Sequence, residues 1–314
     1  MSKVKERSQR GASQWAVAWR RFRRNKAGVV GLGIVVLIVL IGVFGGYFVK
    51  YPARPDPAAF EPFYNGDVRE PPSFKYPFGT SAIGTDVLSD IVHATKYSLY
   101  VGVVVTLITM TIAIAVGSIA GFYGKWVDNI LMRISEVFLV FPSLLFILVF
   151  ARIFTLVVGE PFWIIPILNV KFPAGLTIVI VILAIFNWAS TARMIRGEFL
   201  RVRELDFVEA ARALGADNNR IIFRHILPNL LSSIIVVSSL TIASAILLEA
   251  AVSFLGFGDA NTATWGQILQ ENFSDMRVVW WAEVYPGLMI LLTVFGFNLL
   301  GDGLSDALNP RLRD

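Results

Sequence analysis

Residues 27–49 read AGVVGLGIVVLIVLIGVFGGYFV, an uncharged run bounded by Lys26 and Lys50. At about 1.5 Å per residue, a helix over this run reaches roughly 34 Å, enough to cross the ~30 Å hydrocarbon layer of a bilayer. A secretory signal has an apolar stretch of only about 7–15 residues. This run is longer and follows 26 residues of chain, so it reads as a retained span, 27–50.

Further spans follow outward from it. Residues 97–124 are uncharged between Lys96 and Lys125. A shorter third segment, 131–151, enters with Arg133 and Glu136 near the interface. The fourth covers 172–192, the fifth 229–248 and the sixth 284–301. Pro161–Val170, flanked by Glu160 and Lys171, reads as an interfacial element outside the bilayer. Composition agrees: 55% of the 314 residues are hydrophobic and 16% charged, where a soluble domain carries about a quarter charged. Such a chain would expose more apolar surface than water tolerates. The expected fold is an all-α integral membrane protein with six transmembrane helices.

Lys and Arg collect on the cytoplasmic side of membrane proteins. Residues 1–26 carry nine of them against Glu6 alone, and the segment after span four carries Arg193, Arg196, Arg201, Arg203, Arg212, Arg220 and Arg224. Between spans five and six stand Glu249, Asp259, Glu271, Asp275 and Glu283 with only Arg277. Both termini are therefore expected in the cytoplasm, and the basic blocks mark topology rather than a nucleic-acid surface. The expected organisation is a basic N-terminus (1–26), span one, an external loop (51–94) whose prolines disfavour a long helix, a core (95–303) and a cytoplasmic tail (304–314). In the N-terminus, Trp15, Trp19 and Phe22 recur at helical spacing opposite Arg20, Arg21, Arg23 and Arg24, the pattern of a helix lying in the interface.

The segment 193–228 is the most informative. Its twelve charged residues between Arg193 and Arg224 forbid a span, yet Phe207, Ala210, Ala211 and Leu214 lie at helical spacing over Asp206–Leu214. Gly215 interrupts, Asp217–Arg224 reads as a second short helix with Ile221, Ile222 and His225 on its apolar side, and Pro228 closes the unit before span five. Asp206 and Asp217 stand where a cap or first-turn acid is favoured. A helix–glycine–helix elbow on the cytoplasmic face suits a soluble partner's grip.

Glu209-Ala210-Ala211, Gly215 four residues on, then Ala216 and Leu227-Pro228 resemble the EAA motif of ABC importer permeases. The usual pattern has an aliphatic residue where His225 stands. Phe22-Arg23-Arg24-Asn25-Lys26-Ala27-Gly28, Pro77-Phe78-Gly79-Thr80, Gly84-Thr85-Asp86-Val87-Leu88, Glu249–Gly256 with Trp265-Gly266, and Phe297–Leu304 with Asn309-Pro310-Arg311 are similar to the dipeptide/oligopeptide branch, C-type subunit. That branch commonly has an acid at Ser81 and arginines at Thr85 and Asp90, which this chain lacks. The resemblance implies a type I (MetI-like) permease fold in a prokaryotic inner membrane, with Asp206, Phe207, Glu209, Ala210, Ala211, Leu214, Gly215, Ala216, Leu227 and Pro228 in the ATPase-coupling loop. It also implies a paralogous B-type permease, two ATPase subunits that hold ATP and Mg, an extracytoplasmic substrate-binding protein, and peptides as cargo, with oligosaccharides or nickel chelates as substitutes.

The residues offer no chemistry of their own. The chain has no cysteine and only His93 and His225, which fall in different loops, so no metal site or cofactor is expected. A P-loop needs a first glycine and a Ser or Thr after its lysine; around Gly124-Lys125, Ile119 and Trp126 occupy those positions. Polar residues within spans generally face the bundle interior. Of Thr106, Thr109, Thr111, Ser118, Asn187, Ser190, Ser238, Ser239, Thr241, Ser244 and Asn298, most are expected to bond their own helix, leaving Asn187, Ser190, Ser239 and Asn298 as translocation-path candidates. An ion-coupled secondary carrier is the competing class; it would need no ATPase and would leave the inner loop indifferent to mutation.

Overall fold

The computed structural model describes residues 14–49, 67–157, 174–259 and 262–308. The first 13 residues, the prolines before residue 67, Pro161–Val170 and the last six residues lie outside it. The described elements are helical apart from one isolated bridge, Thr80 with Asp86. Helices α1 (Gln14–Phe22) and α2 (Lys26–Phe44) are followed by α3 (Val87–Tyr123), α4 (Lys125–Val140), α5 (Ser143–Val157) and α6 (Ala174–Arg203). Then come α7 (Asp206–Ala213), α8 (Asn218–Arg220), α9 (Leu227–Val252), α10 (Trp265–Asn272) and α11 (Trp281–Leu308).

Among the described residues, five helical stretches are long and apolar enough to cross a membrane: Lys26–Tyr47, Val87–Tyr123, Gly175–Arg203, Asn218–Phe257 and Trp281–Leu308. A sixth exists if α4 and α5 count as one broken span, bent by 84°. A straight third rod over 131–151 is thus not what forms. Phe141 holds an extended φ/ψ of −81°, 138°, the conformation a residue before proline prefers, and Pro142 cannot continue the ladder of α4.

The other helices overrun the expected spans. Asp86 caps α3, its Oδ2 accepting from the Ser89 backbone N–H at 2.9 Å, so that helix starts ten residues before Tyr97. Pro228, expected to close the elbow before span five, does not interrupt the helix. Helix runs unbroken through it because residues 221–226 form a π turn, with the Leu227 N–H bonding Ile222 O. A π turn shifts the hydrogen-bond register, so the proline, which has no N–H to give, fits without a break.

Helix packing follows small residues, as in membrane bundles where close backbone approach replaces the hydrophobic drive. α3 and α6 form the most extensive pair; a Cβ on Gly117 would lie 2.7 Å from the Ala192 carbonyl oxygen. α2 leans on α11, where a Cβ on Gly31 would sit 2.6 Å from Leu300 N and 2.8 Å from Gly296 O. Those neighbours are backbone and cannot yield. Gly31→Leu is therefore expected to cost about 1–3 kcal/mol, the usual range for overpacking, and to lower the melting temperature in detergent. An unchanged melting temperature would count against this contact.

The α2–α11 contact is secured at the arginine-rich end. Asn25 caps α2 by accepting from Gly28 N–H at 3.0 Å, and its Nδ2 donates to Asp306 at 2.8 Å. Phe22 of α1 is buried, at the place where Gly28 and Gly303 meet. Trp19 stacks on Phe22 at 5.8 Å but stays half exposed.

Candidate functional site

α6 carries its last turns beyond the apolar stretch, and guanidinium groups fasten them. Arg196 grips both carboxylate oxygens of Asp128 on α4. Arg193 pairs with Glu136 at 3.6 Å. Arg203 donates to the carbonyls of Gly121 and Phe122 at 2.9 and 3.1 Å, a cation on the final carbonyls of α3, where the helix dipole is negative. α3, α4 and α6 thus end in one charged block.

From that block a two-residue link, Glu204-Leu205, leads into α7. Asp206 and Glu209 sit in its first turn and Arg212 in its last, the charge order the dipole favours. Val208 is buried in a core with Phe199, Val202, Ile221, Ile222, Ile226 and Leu230, and Ala211 is buried as well. The opposite side is free: Phe207, Glu209, Ala210 and Leu214 are exposed, Leu214 to 89%. Ala211 was expected on the face of Phe207, Ala210 and Leu214; it lies instead with Val208, inward. The elbow turns at Gly215, whose φ of +81° disfavours any residue with a Cβ. Two bonds close the turn, Gly215 N–H to Arg212 O at 3.0 Å and Ala216 N–H to Ala211 O at 3.1 Å. The chain then re-enters helix at Asn218, with Asp217 in the N-cap position. The second short helix expected over Asp217–Arg224 is only α8 plus the start of the π turn, continuous with α9. Leu227 is half buried, packed against the core around Val208, and Pro228 is exposed.

Of the four path candidates, Asn187 and Ser190 stand on α6, Ser239 on α9 and Asn298 on α11. Asn187 Nδ2 donates to Leu183 O at 2.7 Å, Ser190 Oγ to Asn187 O at 3.4 Å and Ser239 Oγ to Val236 O at 2.7 Å. These three satisfy their own helices. Asn298 is exposed on α11, and its side chain makes no hydrogen bond among the described residues. Thr111, Ser118, Ser238, Thr241 and Ser244 likewise bond carbonyls of their own helices, whereas Thr106 and Thr109 are buried without a bond.

At the other end of the bundle a second assembly forms that residue patterns did not foretell. The Trp281 indole N–H donates to Thr80 O at 2.9 Å, Ala82 N–H to Asn272 Oδ1 at 3.0 Å and Trp265 N–H to Ser98 Oγ at 3.1 Å. Ser81 and Thr85 hydroxyls lie 2.7 Å apart, and Thr85 donates to Asp90 at 2.6 Å. The positions that depart from the branch pattern thus form a hydrogen-bonded chain. Glu249, expected in a loop, lies within α9, is 1% exposed, and accepts from Ser253 Oγ at 2.7 Å. The quoted segments around Gly79, Thr85 and Trp265 were the available signal, though not for which contacts they make.

No group of three His, Cys, Asp or Glu that could hold a metal occurs among the described residues. The glycine of the near P-loop, Gly124, is the left-handed break between α3 and α4, with φ +63°. It is a helix junction and not a phosphate cradle.

Comparison with known proteins agrees with this architecture. Residues 113–314 match the family described as binding-protein-dependent transport system inner membrane component. Residues 13–72 match the N-terminal TM domain of oligopeptide transport permease C. The oligopeptide transport system permease protein OppC of Bacillus subtilis is 35% identical over 307 residues, covering 98% of this chain and 92% of that one. A glutathione transport system permease protein, GsiD of Pectobacterium atrosepticum, is 36% identical over 301 residues, 95% of this chain and 92% of its own. The dipeptide transport system permease protein DppC of Alkalihalophilus pseudofirmus is 33% identical over 302 residues, 96% and 91% respectively.

Proposed function

This chain belongs to the family of binding-protein-dependent transport inner membrane components, and from that premise we propose that it is the permease subunit of an importer through which di- and oligopeptides pass. An extracytoplasmic binding protein delivers the peptide. Two ATPase subunits, holding ATP and Mg, dock at the elbow, and a B-type permease completes the path. Both termini and α7 lie in the cytoplasm. The organisation into a basic N-terminus, a first span, an external loop, a core and a tail belongs to the same proposal, as do Asn187, Ser190, Ser239 and Asn298 as path residues.

One observation carries the docking assignment. The elbow has a fully used inner face, Val208 and Ala211, and an unused outer face, Phe207, Ala210 and Leu214, on a base held by three arginines. An exposed apolar surface of that kind on a rigid support marks a protein–protein contact. Peptide is favoured over oligosaccharide or nickel chelate because the similar permeases are named for oligopeptide, glutathione and dipeptide transport.

The test is reconstitution of the chain with its neighbouring permease, ATPases and receptor in liposomes. Uptake of labelled peptide is expected only with both ATP and receptor present, and Glu209→Lys is expected to lower it. Uptake driven by an ion gradient without ATP would refute the assignment in favour of a secondary carrier.

A further inference from the structure

The reading of α7 as the docking elbow leaves open how its displacement reaches the rest of the bundle. We propose that Arg196 and Asp128 are positioning residues that make α4 travel with α6 when the elbow is moved. This inference rests on the docking assignment just made.

The geometry is specific. Asp128 and Arg196 are 68 positions apart, and the guanidinium meets the carboxylate through both Nε and Nη2. A two-point contact fixes relative angle as well as distance. The Asp128 side chain is 12% exposed and that of Arg196 32%, so water competes only weakly. Around it, Arg203 holds the end of α3 through two carbonyls, and Arg193 reaches Glu136 further along α4. All three arginines lie on α6, within the last eleven residues before the link to α7.

Force entering at α7 reaches α6 through the Glu204-Leu205 link and passes to α4 through the Arg196–Asp128 pair. α4 is free to follow because its connection to α5 is a break at Phe141-Pro142, with the two helices bent by 84°. α5 is otherwise engaged, with Ile147 and Ala151 buried against the far half of α6 and against α9. A continuous third helix would transmit tilt along its whole length. The broken one confines it to the arginine-rich half.

The experiment uses the full reconstituted complex and reads two quantities, ATP hydrolysed and labelled peptide taken up. Asp128→Asn is expected to leave ATPase co-purification and receptor-stimulated hydrolysis near wild type, while peptide per ATP falls about tenfold, within the span of measured coupling energies. The exchange of both charges, Asp128→Arg with Arg196→Asp, is expected to restore most of the ratio. A merely structural pair would lower assembly and leave the ratio of surviving complexes unchanged. Three results would overturn the proposal: an unaltered ratio in Asp128→Asn, equal falls in hydrolysis and uptake, or loss of assembly that the exchange does not repair. Absence of ATPase from the wild-type complex would instead strike the docking assignment beneath it.

Discussion

Leu214→Asp is expected to weaken ATPase binding to the membrane complex by about 30-fold, the effect of removing one interface anchor worth roughly 2 kcal/mol. Peptide uptake should fall with it. The thermal stability of the chain should not change, because Leu214 is 89% exposed and gives up nothing within its own fold. Ala211→Asp provides the contrast. It puts a carboxylate at a site that is 8% exposed, on the inward side of α7, where an unpaired charge is costly. That variant should lose stability as well as binding. Titration of detergent-solubilised complex with purified ATPase, beside a melting curve, separates the two. Leu214→Asp complex that retains ATPase at wild-type affinity would remove the elbow's free face from the docking surface.

The contrast between Leu214 and Ala211 also shows what was legible beforehand. The spacing of Phe207, Ala210, Ala211 and Leu214 was enough to announce a helix. It could not say which neighbours that helix leans on, and Val208, the residue that anchors it, was not singled out. The choice of face depends on Ile221, Ile222 and Ile226 arriving from beyond the glycine, a contact made in three dimensions only. Hydropathy located the spans because each needs its own apolar run in lipid. It gave poor ends for them, since caps such as Asp86 and the π turn before Pro228 extend helices past the apolar run. The break at Phe141-Pro142 had a local signal in its proline, but the size of the bend reflects packing on α6. Likewise the partners of Arg196 and Arg203 lie 68 and 81 or 82 positions away. Charge counts set those arginines on one side without showing that they clamp α3 and α4. The cluster of Thr80, Trp265 and Trp281 was the least legible, because its bonds run mostly to backbone groups, which every residue possesses.

Gly215 offers the second large effect, and a graded one. Its φ of +81° lies in the left-handed region, open to glycine, tolerable for asparagine, and about 1–2 kcal/mol unfavourable for other residues with a Cβ. No atom lies within 4 Å of where its Cβ would stand, so crowding contributes nothing and only the backbone decides. Proline fails twice. Its ring fixes φ near −65°, and it removes the N–H that donates to Arg212 O at 3.0 Å. Uptake is therefore expected to rank Gly215 wild type, then Gly215→Asn, then Gly215→Ala, with Gly215→Pro close to background. The spans do not depend on this turn, so membrane insertion and helix content by circular dichroism should be the same in all four. The Pro variant should still hydrolyse no more ATP per complex than free ATPase, because α7 can no longer present Phe207 and Leu214 while keeping Val208 and Ala211 inside. Uptake in Gly215→Pro above half the wild-type rate, or an Ala variant better than Asn, would mean that the turn's backbone angle is not what holds the elbow in its working shape.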